Sequence, residues 1–414
     1  MTVLFGPPTE AGRRTVDRTA ADLGGPRISV AIMHHPARRD SARALARSLA
    51  RLSPRVVADP DPSGPASPLR TAKRAWREVD ESATHHLVLQ DDTVVCEGFE
   101  QRLRAAVRAR PDEVITLYVN ADSPNNSYPV RHAVFSGSPW ALLVPGEFVP
   151  TVGLLMPVTK ARELADFLAR IPDELCDDDA FVDLFCRTRD YRVLATVPNL
   201  VEHRGDRSVA SNDGHGVRRS VAFLPDWTPP PSYWQHEPAI DKGASMRAAG
   251  TVGVHHIVTV VAAACFVRFI CATAEHPVRQ PCASWYSVCA MLGVPPARVL
   301  ADLEAYLGSP AGAEVAALLR TAEVAGARAV ELWAAGFLLG MDSGGTGAQR
   351  RCAGDLARRL RALAIAGWVD SGFVDGVSGE LRGPVRDAFV SLGLSAVESG
   401  AGWVDGRAEP REDG

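Results

Sequence analysis

The feature that most constrains this chain is the order of its short apolar runs. Ile28–Met33 (ISVAIM), His86–Leu89 (HLVL), Val114–Val119 (VITLYV) and Tyr191–Thr196 (YRVLAT) are rich in β-branched residues and separated by helical stretches. Strand, loop, helix in repetition is the signature of an α/β layer structure. Helices are expected over about Asp40–Leu52, Thr71–Val79, Phe99–Ala109, Lys160–Ala169 and Asp178–Arg187. Short strands are expected at Val56–Ala58, Ala141–Val144 and Val152–Met156. The segment Asp226–Pro231 (DWTPPP) reads as a linker, because consecutive prolines continue neither a helix nor a central strand.

Beyond the linker the texture changes. Val299–Leu307, Ala311–Leu339 and Gln349–Ile365 are Ala- and Leu-rich and helical by propensity. From Gly367 onward the chain is Gly-rich and suggests no regular element. The expected organisation is a leader over 1–26, an α/β domain over 27–225, a Pro-rich linker over 226–245, a mainly helical domain over 246–400 and a flexible tail over 401–414. The apolar stretch Thr251–Ala274 holds His255, His256 and Arg268, which are costly at bilayer depth, so a helix within the protein is expected and membrane insertion is not.

Composition bounds the partners. The 414 residues suit two domains, and 46% apolar with 23% charged residues is a globular balance. A net charge of -4 does not suggest a nucleic-acid binder. Eight cysteines with no close CxxC pair read as free thiols in a reducing, cytoplasmic setting.

Four places carry candidate chemistry. Asp91 and Asp92 directly follow a strand, and ligands bind at the carboxyl ends of strands in open α/β sheets. Hard divalent cations take oxygen ligands, so the pair can hold a metal; it can equally be an acidic loop. Asp177-Asp178-Asp179 opens a helix, where acids favour the helix dipole and a carboxylate can also act as general base. His203, after the last strand, suits Mn²⁺-type ions, and the flanking Arg204 and Arg207 suit phosphate. The turn bearing His34, Pro36, Arg38 and Arg39 follows the first strand and would face a nucleotide. Asp59 or Asp61, past the second strand, can bind a ribose or base. Two loops, at Asn125–Tyr128 and Ser136–Trp140, lie between the acidic motifs. Asn126 and Trp140 are their candidate acceptor contacts, Trp140 as a flat platform for a sugar.

Taken in order, the strand ISVAIM with its basic turn, LQDD, VGLLMPVTKARELADFL, the acid triplet and PNLVEHRGDRS resemble the GT-A glycosyltransferases, over about residues 27–220. The likeness is greatest to bacterial glycosyltransferase-2 and -25 types, and the last motif is similar to that of N-acetylglucosaminyltransferases that branch N-glycans. The resemblance implies a GT-A type mixed central sheet flanked by helices, followed by a second, mainly α-helical domain. It implies transfer of a sugar from a nucleoside diphosphate sugar, most often a UDP sugar, to an acceptor, with Mn²⁺ or Mg²⁺ as cofactor. Asp91 and Asp92 would meet metal and donor diphosphate, His203 would complete the metal site, and Asp178 or Asp179 would be the base. The motif reads QDD here in place of a strict Asp-x-Asp. The competing expectations are a non-catalytic glycan- or protein-binding scaffold and a nucleotidyltransferase. The latter usually carries a glycine-rich signature where this chain has MHHPARRD. The helical half would serve acceptor binding, dimerisation or a partner protein.

Overall fold

A computed structural model describes residues 25–144, 146–205, 218–227, 229–230, 232–239, 255–270, 281–344 and 354–408. The expected leader therefore falls almost wholly outside the described residues, as do Arg207, Cys271 and Cys352.

The N-terminal half is a mixed seven-stranded sheet flanked by helices. Its strands are β1 (Ile28–His34), β2 (Arg55–Ala58), β3 (His85–Gln90), β5 (Val114–Thr116), β6 (Trp140–Leu142), β7 (Gly153–Pro157) and β8 (Val193–Thr196), in the order β2-β1-β3-β7-β5-β8-β6. The pairs β1–β2, β1–β3 and β5–β8 are parallel, whereas β7 runs antiparallel to β3 and β5, and β6 antiparallel to β8. A separate antiparallel pair joins β4 (Thr93–Val95) to β9 (Val201–His203). The helices are α1 (Arg39–Ser48), α2 (Pro68–Ala75), α3 (Phe99–Ala109), α4 (Ser127–Ser136), α5 (Val158–Leu168) and α6 (Asp179–Thr188).

Each central strand is buried along nearly its whole length, the pattern of a sheet covered on both faces. On one face Leu45 and Leu49 of the α1 region and Phe99, Leu103 and Val107 of α3 pack on Val30, Ile32, Leu87 and Leu89. On the other, Leu69, Leu164 and Phe185 of α2, α5 and α6 join a larger core.

Four expectations change. Thr251–Ala274 was expected to be helical, but its described part is a hairpin of β10 (His255–Val261) and β11 (Ala264–Ile270), extended by β12 (Cys282–Ser284). The turn is made by Ala262 and Ala263, both at positive φ, a backbone usually signalled by Asn-Gly. Residues 125–140 are not simply two loops, since α4 lies between them. The long stretch Ala311–Leu339 divides into α8 (Pro310–Thr321) and α9 (Gly326–Ser343), after α7 (Pro296–Gly308), and α10 (Asp355–Trp368) follows. The Gly-rich end carries the longest helix, α11 (Arg382–Ala408), which runs into the expected tail.

Glycines on both helices are what bring α11 close to α9. A Cβ on Gly400 would lie 1.9 Å from the Phe337 carbonyl oxygen, and one on Gly340 would lie 2.1 Å from that of Val397. Both halves also share the larger core, which runs from Val88 and Leu154 through Val130 and Val134 of α4 to Leu332, Phe337, Phe389 and Leu392. Among the described residues, no helix is long and apolar enough to cross a membrane.

Candidate functional site

The site forms where β1 and β3 end side by side. Their parallel register sets Met33 opposite Gln90, so His34 and Asp91 emerge together. The His35 amide donates to Asp91 Oδ2 at 2.8 Å, and His34 Nδ1 stands 3.5 Å from the same oxygen. A 3-10 turn over Pro36–Arg38 then brings the Arg38 guanidinium back onto both carboxylates. Its Nη1 is 3.3 Å from Asp91 Oδ1 and in close contact with Asp92 Oδ2.

The β4–β9 pair supplies the other wall. Thr93 is in register with His203, and the Arg204 amide donates to the Asp92 carbonyl at 2.8 Å. His203 Nε2 thereby lies 3.1 Å from Asp92 Oδ2, without the alignment of a hydrogen bond. Asp91, Asp92, His34 and His203 are all buried. Burial pushes the Asp92 carboxyl up, but His203 and Arg38 outweigh it and hold the group at about 2. Asp91 moves the other way: burial raises it, the neighbouring Asp92 charge adds to this, and the His35 amide and Arg38 only partly oppose.

The arrangement does not fit the divalent ion that the resemblance implies. Among the described residues, no three His, Cys, Asp or Glu side chains are grouped to hold a metal. Arg38 already places a cation on both carboxylates. His203 Nδ1 accepts the Gly205 amide at 2.9 Å, which puts the proton of a neutral ring on Nε2, the atom a metal would need bare. Among the described residues, His34 Nδ1, Asp92 Oδ1 and His203 Nε2 are nevertheless buried without hydrogen-bond partners, so the site keeps polar atoms that a ligand could meet.

The second acidic motif is tied to the first. Asp178 sits at the N-cap position of α6, yet its side chain makes no capping bond. Thr151 partly opposes the rise in proton affinity that burial gives it, and Thr151 Oγ1 accepts from Gln90 Nε2 at 3.2 Å, Gln90 directly preceding Asp91. Asp178 Oδ2 is buried and has no hydrogen-bond partner among the described residues. Asp179 Oδ1 accepts the Ala180 amide at 2.7 Å. Burial pushes both carboxyls well above the ordinary range, and for Asp179 the Asp178 charge adds to it. Asp177 is exposed.

Other expected contacts take different places. Asp59 gives both oxygens to Arg70, at 2.8 and 2.9 Å, and its amide donates to the His34 carbonyl, so it braces the end of β1. Arg39 is exposed at the start of α1, and Arg38 takes the contact with the acids. Arg204 is exposed beside Asp92. Trp140 is fully enclosed, its Nε1 donating to the Trp234 carbonyl at 3.1 Å, so its ring offers no open face to a sugar. Asn126 is buried and spans the Val144 amide and Phe148 carbonyl.

Sequence reasoning did not single out Gln90 and Thr151, which carry no signal without the fold. It also passed over Glu147, a buried carboxylate that accepts from the Ser123 hydroxyl at 2.7 Å and from the Asn125 and Asn126 amides. Burial pushes its carboxyl up to about 7. A lone acid within the apolar run LLVPGEFVP was the available signal. Set against known proteins, the chain matches no protein-family model, and no curated protein matches it.

Proposed function

We propose that the chain transfers a sugar from a nucleoside diphosphate sugar, with a UDP sugar as the first candidate, to a hydroxyl of an acceptor. The observation that carries this reading is the Gln90–Thr151–Asp178 link. Gln90 Nε2 donates to Thr151, and Thr151 acts on Asp178, so the buried Asp178 and half-buried Asp179, both with raised proton affinity, are connected to the strand end bearing Asp91, Asp92 and Arg38. Such a pair suits a general base working near neutral pH.

In this reading Asp178 or Asp179 takes the proton of the acceptor hydroxyl as its oxygen attacks the anomeric carbon. The bond from that carbon to the phosphate oxygen breaks, and the diphosphate leaves with the electron pair. Arg38 and the exposed Arg204 supply positive charge toward the leaving group. Mn²⁺ or Mg²⁺ would first have to displace the Arg38 contact and free His203 Nε2.

Calorimetric titration with UDP, GDP, CDP and dTDP, with and without Mn²⁺, tests the reading on the wild type and on Asp92→Ala and His203→Ala. Micromolar binding of one nucleotide, lost in both variants, is expected. Absence of binding by all four under both conditions would overturn it and favour a binding scaffold on this fold.

A further inference from the structure

Helix α1 carries a feature that sugar transfer does not use. Arg39, Arg43 and Arg47, with Arg51 in the 3-10 turn that follows, recur every four residues and are all exposed. Positions four apart share one face of a helix. The four guanidinium groups thus form a row about 18 Å long at helical rise. Among the described residues none of the four has an ion pair or a side-chain hydrogen bond. Elsewhere among the described residues, exposed arginines either pair with an acid, as Arg359 does with Asp226, or stand singly, as Arg74 and Arg320 do. Like charges side by side along a helix oppose each other, so this row is not explained by the stability of α1.

The row can meet only a broad anionic surface. The opposite side of the segment, Ala42, Leu45, Leu49 and Leu52, is buried against the sheet, so α1 can neither enter a nucleic-acid groove nor insert an apolar face into lipid. Its other exposed positions are Asp40, Ser48 and Ala50, with no aromatic side chain on which a base would stack. A row of cations winding along the outer face of this segment matches a sheet of phosphate headgroups. The row begins one residue after Arg38, which touches the acid pair.

We infer that α1 docks this protein on an anionic phospholipid surface through Arg39, Arg43, Arg47 and Arg51. The contact is peripheral and electrostatic, and the Arg39 end of the row lies nearest the strand end that bears Asp91 and Asp92. It stands whether or not the chain transfers a sugar.

The test is co-sedimentation of the full chain with vesicles of phosphatidylcholine alone or mixed with phosphatidylglycerol, at low and high salt. Binding to the mixed vesicles only, weakened by salt, is expected. Each arginine near such a surface contributes about a five-fold gain in affinity, so changing all four to Gln should lower it by several hundred-fold, on the order of 5⁴. A matched variant with Arg74, Arg162, Arg170 and Arg320 changed to Gln removes the same charge from scattered exposed sites and should lose far less. Two double variants, Arg39→Gln with Arg43→Gln and Arg47→Gln with Arg51→Gln, keep the result readable if the fourfold variant folds poorly. Each should lose roughly 25-fold on the same scale. Failure to bind mixed vesicles, or equal losses in the row and scattered variants, would overturn the inference. So would tighter binding to DNA or RNA at the same salt through the same four residues.

Discussion

At the scale of single residues, Asp178 connects chemistry to stability. Its carboxyl is raised chiefly by burial, so the folded protein favours the protonated form more than the unfolded chain does. This stabilisation is present below the unfolded carboxylate range and is lost as pH rises through the folded value. Asp178→Asn keeps the shape without the charge. It should be more stable than the wild type at pH 8, by ~1–3 kcal/mol, with the gap closing toward pH 4. If Asp178 is the base, the same variant should lose about 10²–10⁴-fold in kcat with donor binding kept. Wild-type kcat/KM should fall on acidification as the pair protonates. Urea melts at several pH values beside a transfer assay separate the effects; a variant less stable at pH 8 would argue that the Thr151 contact outweighs the buried charge. Asp91, Asp92, His203 and the acid triplet were legible in the sequence because each stands at the end or start of a regular element. Trp140 and Asn126 were not, because their burial depends on Trp234, Val144 and Phe148, and no local pattern announces those contacts.

At the scale of elements, glycine inside a helix normally costs stability, yet α11 carries Gly393, Gly400 and Gly402. Two of them are explained by what they face. A methyl on Gly400 would fall on the Phe337 carbonyl, and one on Gly393 would lie 2.6 Å from Ile365 Cγ2. Gly400→Ala should therefore force α9 and α11 apart and cost ~2–4 kcal/mol in chemical denaturation. Gly402 meets nothing within 4 Å, so Gly402→Ala should be neutral or stabilise by up to ~1 kcal/mol. Equal effects would show that backbone propensity, not helix contact, sets the outcome. The same glycines hid α11 from the sequence, because composition registers their flexibility and not the neighbouring helix that selects them. The β10–β11 hairpin was hidden for a related reason: an Ala-Ala turn gives no break in an apolar run, which then has the length of a helix. The alternating strands and helices of the first half were legible because β-branched runs and polar turns mark both ends of each element.

For the whole molecule, the question is whether two halves or one unit unfolds. The sequence suggested a linker near Asp226, but the larger core continues from the sheet into α9, α10 and α11. Arg131 of α4 stands at the junction. It is fully buried, and burial pushes its guanidinium down to about 9. Its Nε donates to the Ala364 carbonyl of α10 at 2.8 Å, and Nη2 to the Ala121 carbonyl at 3.1 Å. Its guanidinium carbon lies 4.7 Å from the centre of the Trp368 ring. Gly367 is small where it must be, since a Cβ there would lie 2.9 Å from Arg131 Nη2. Nε and Nη2 offset part of the cost of so deep a charge by binding carbonyls from both sides of the junction, while Nη1 has no hydrogen-bond partner among the described residues. Arg131→Ala leaves those carbonyls unpaired beside a cavity, at a cost of ~3–5 kcal/mol. Because the core is shared, that loss should lower the melting temperature of the whole chain in one step. Scanning calorimetry should show a single transition in wild type and variant, with van 't Hoff and calorimetric enthalpies in agreement. Two transitions in the wild type would instead mean that the core crossing the junction is too weak to couple the halves, and Arg131→Ala would then shift mainly the transition in which α4 and α10 part.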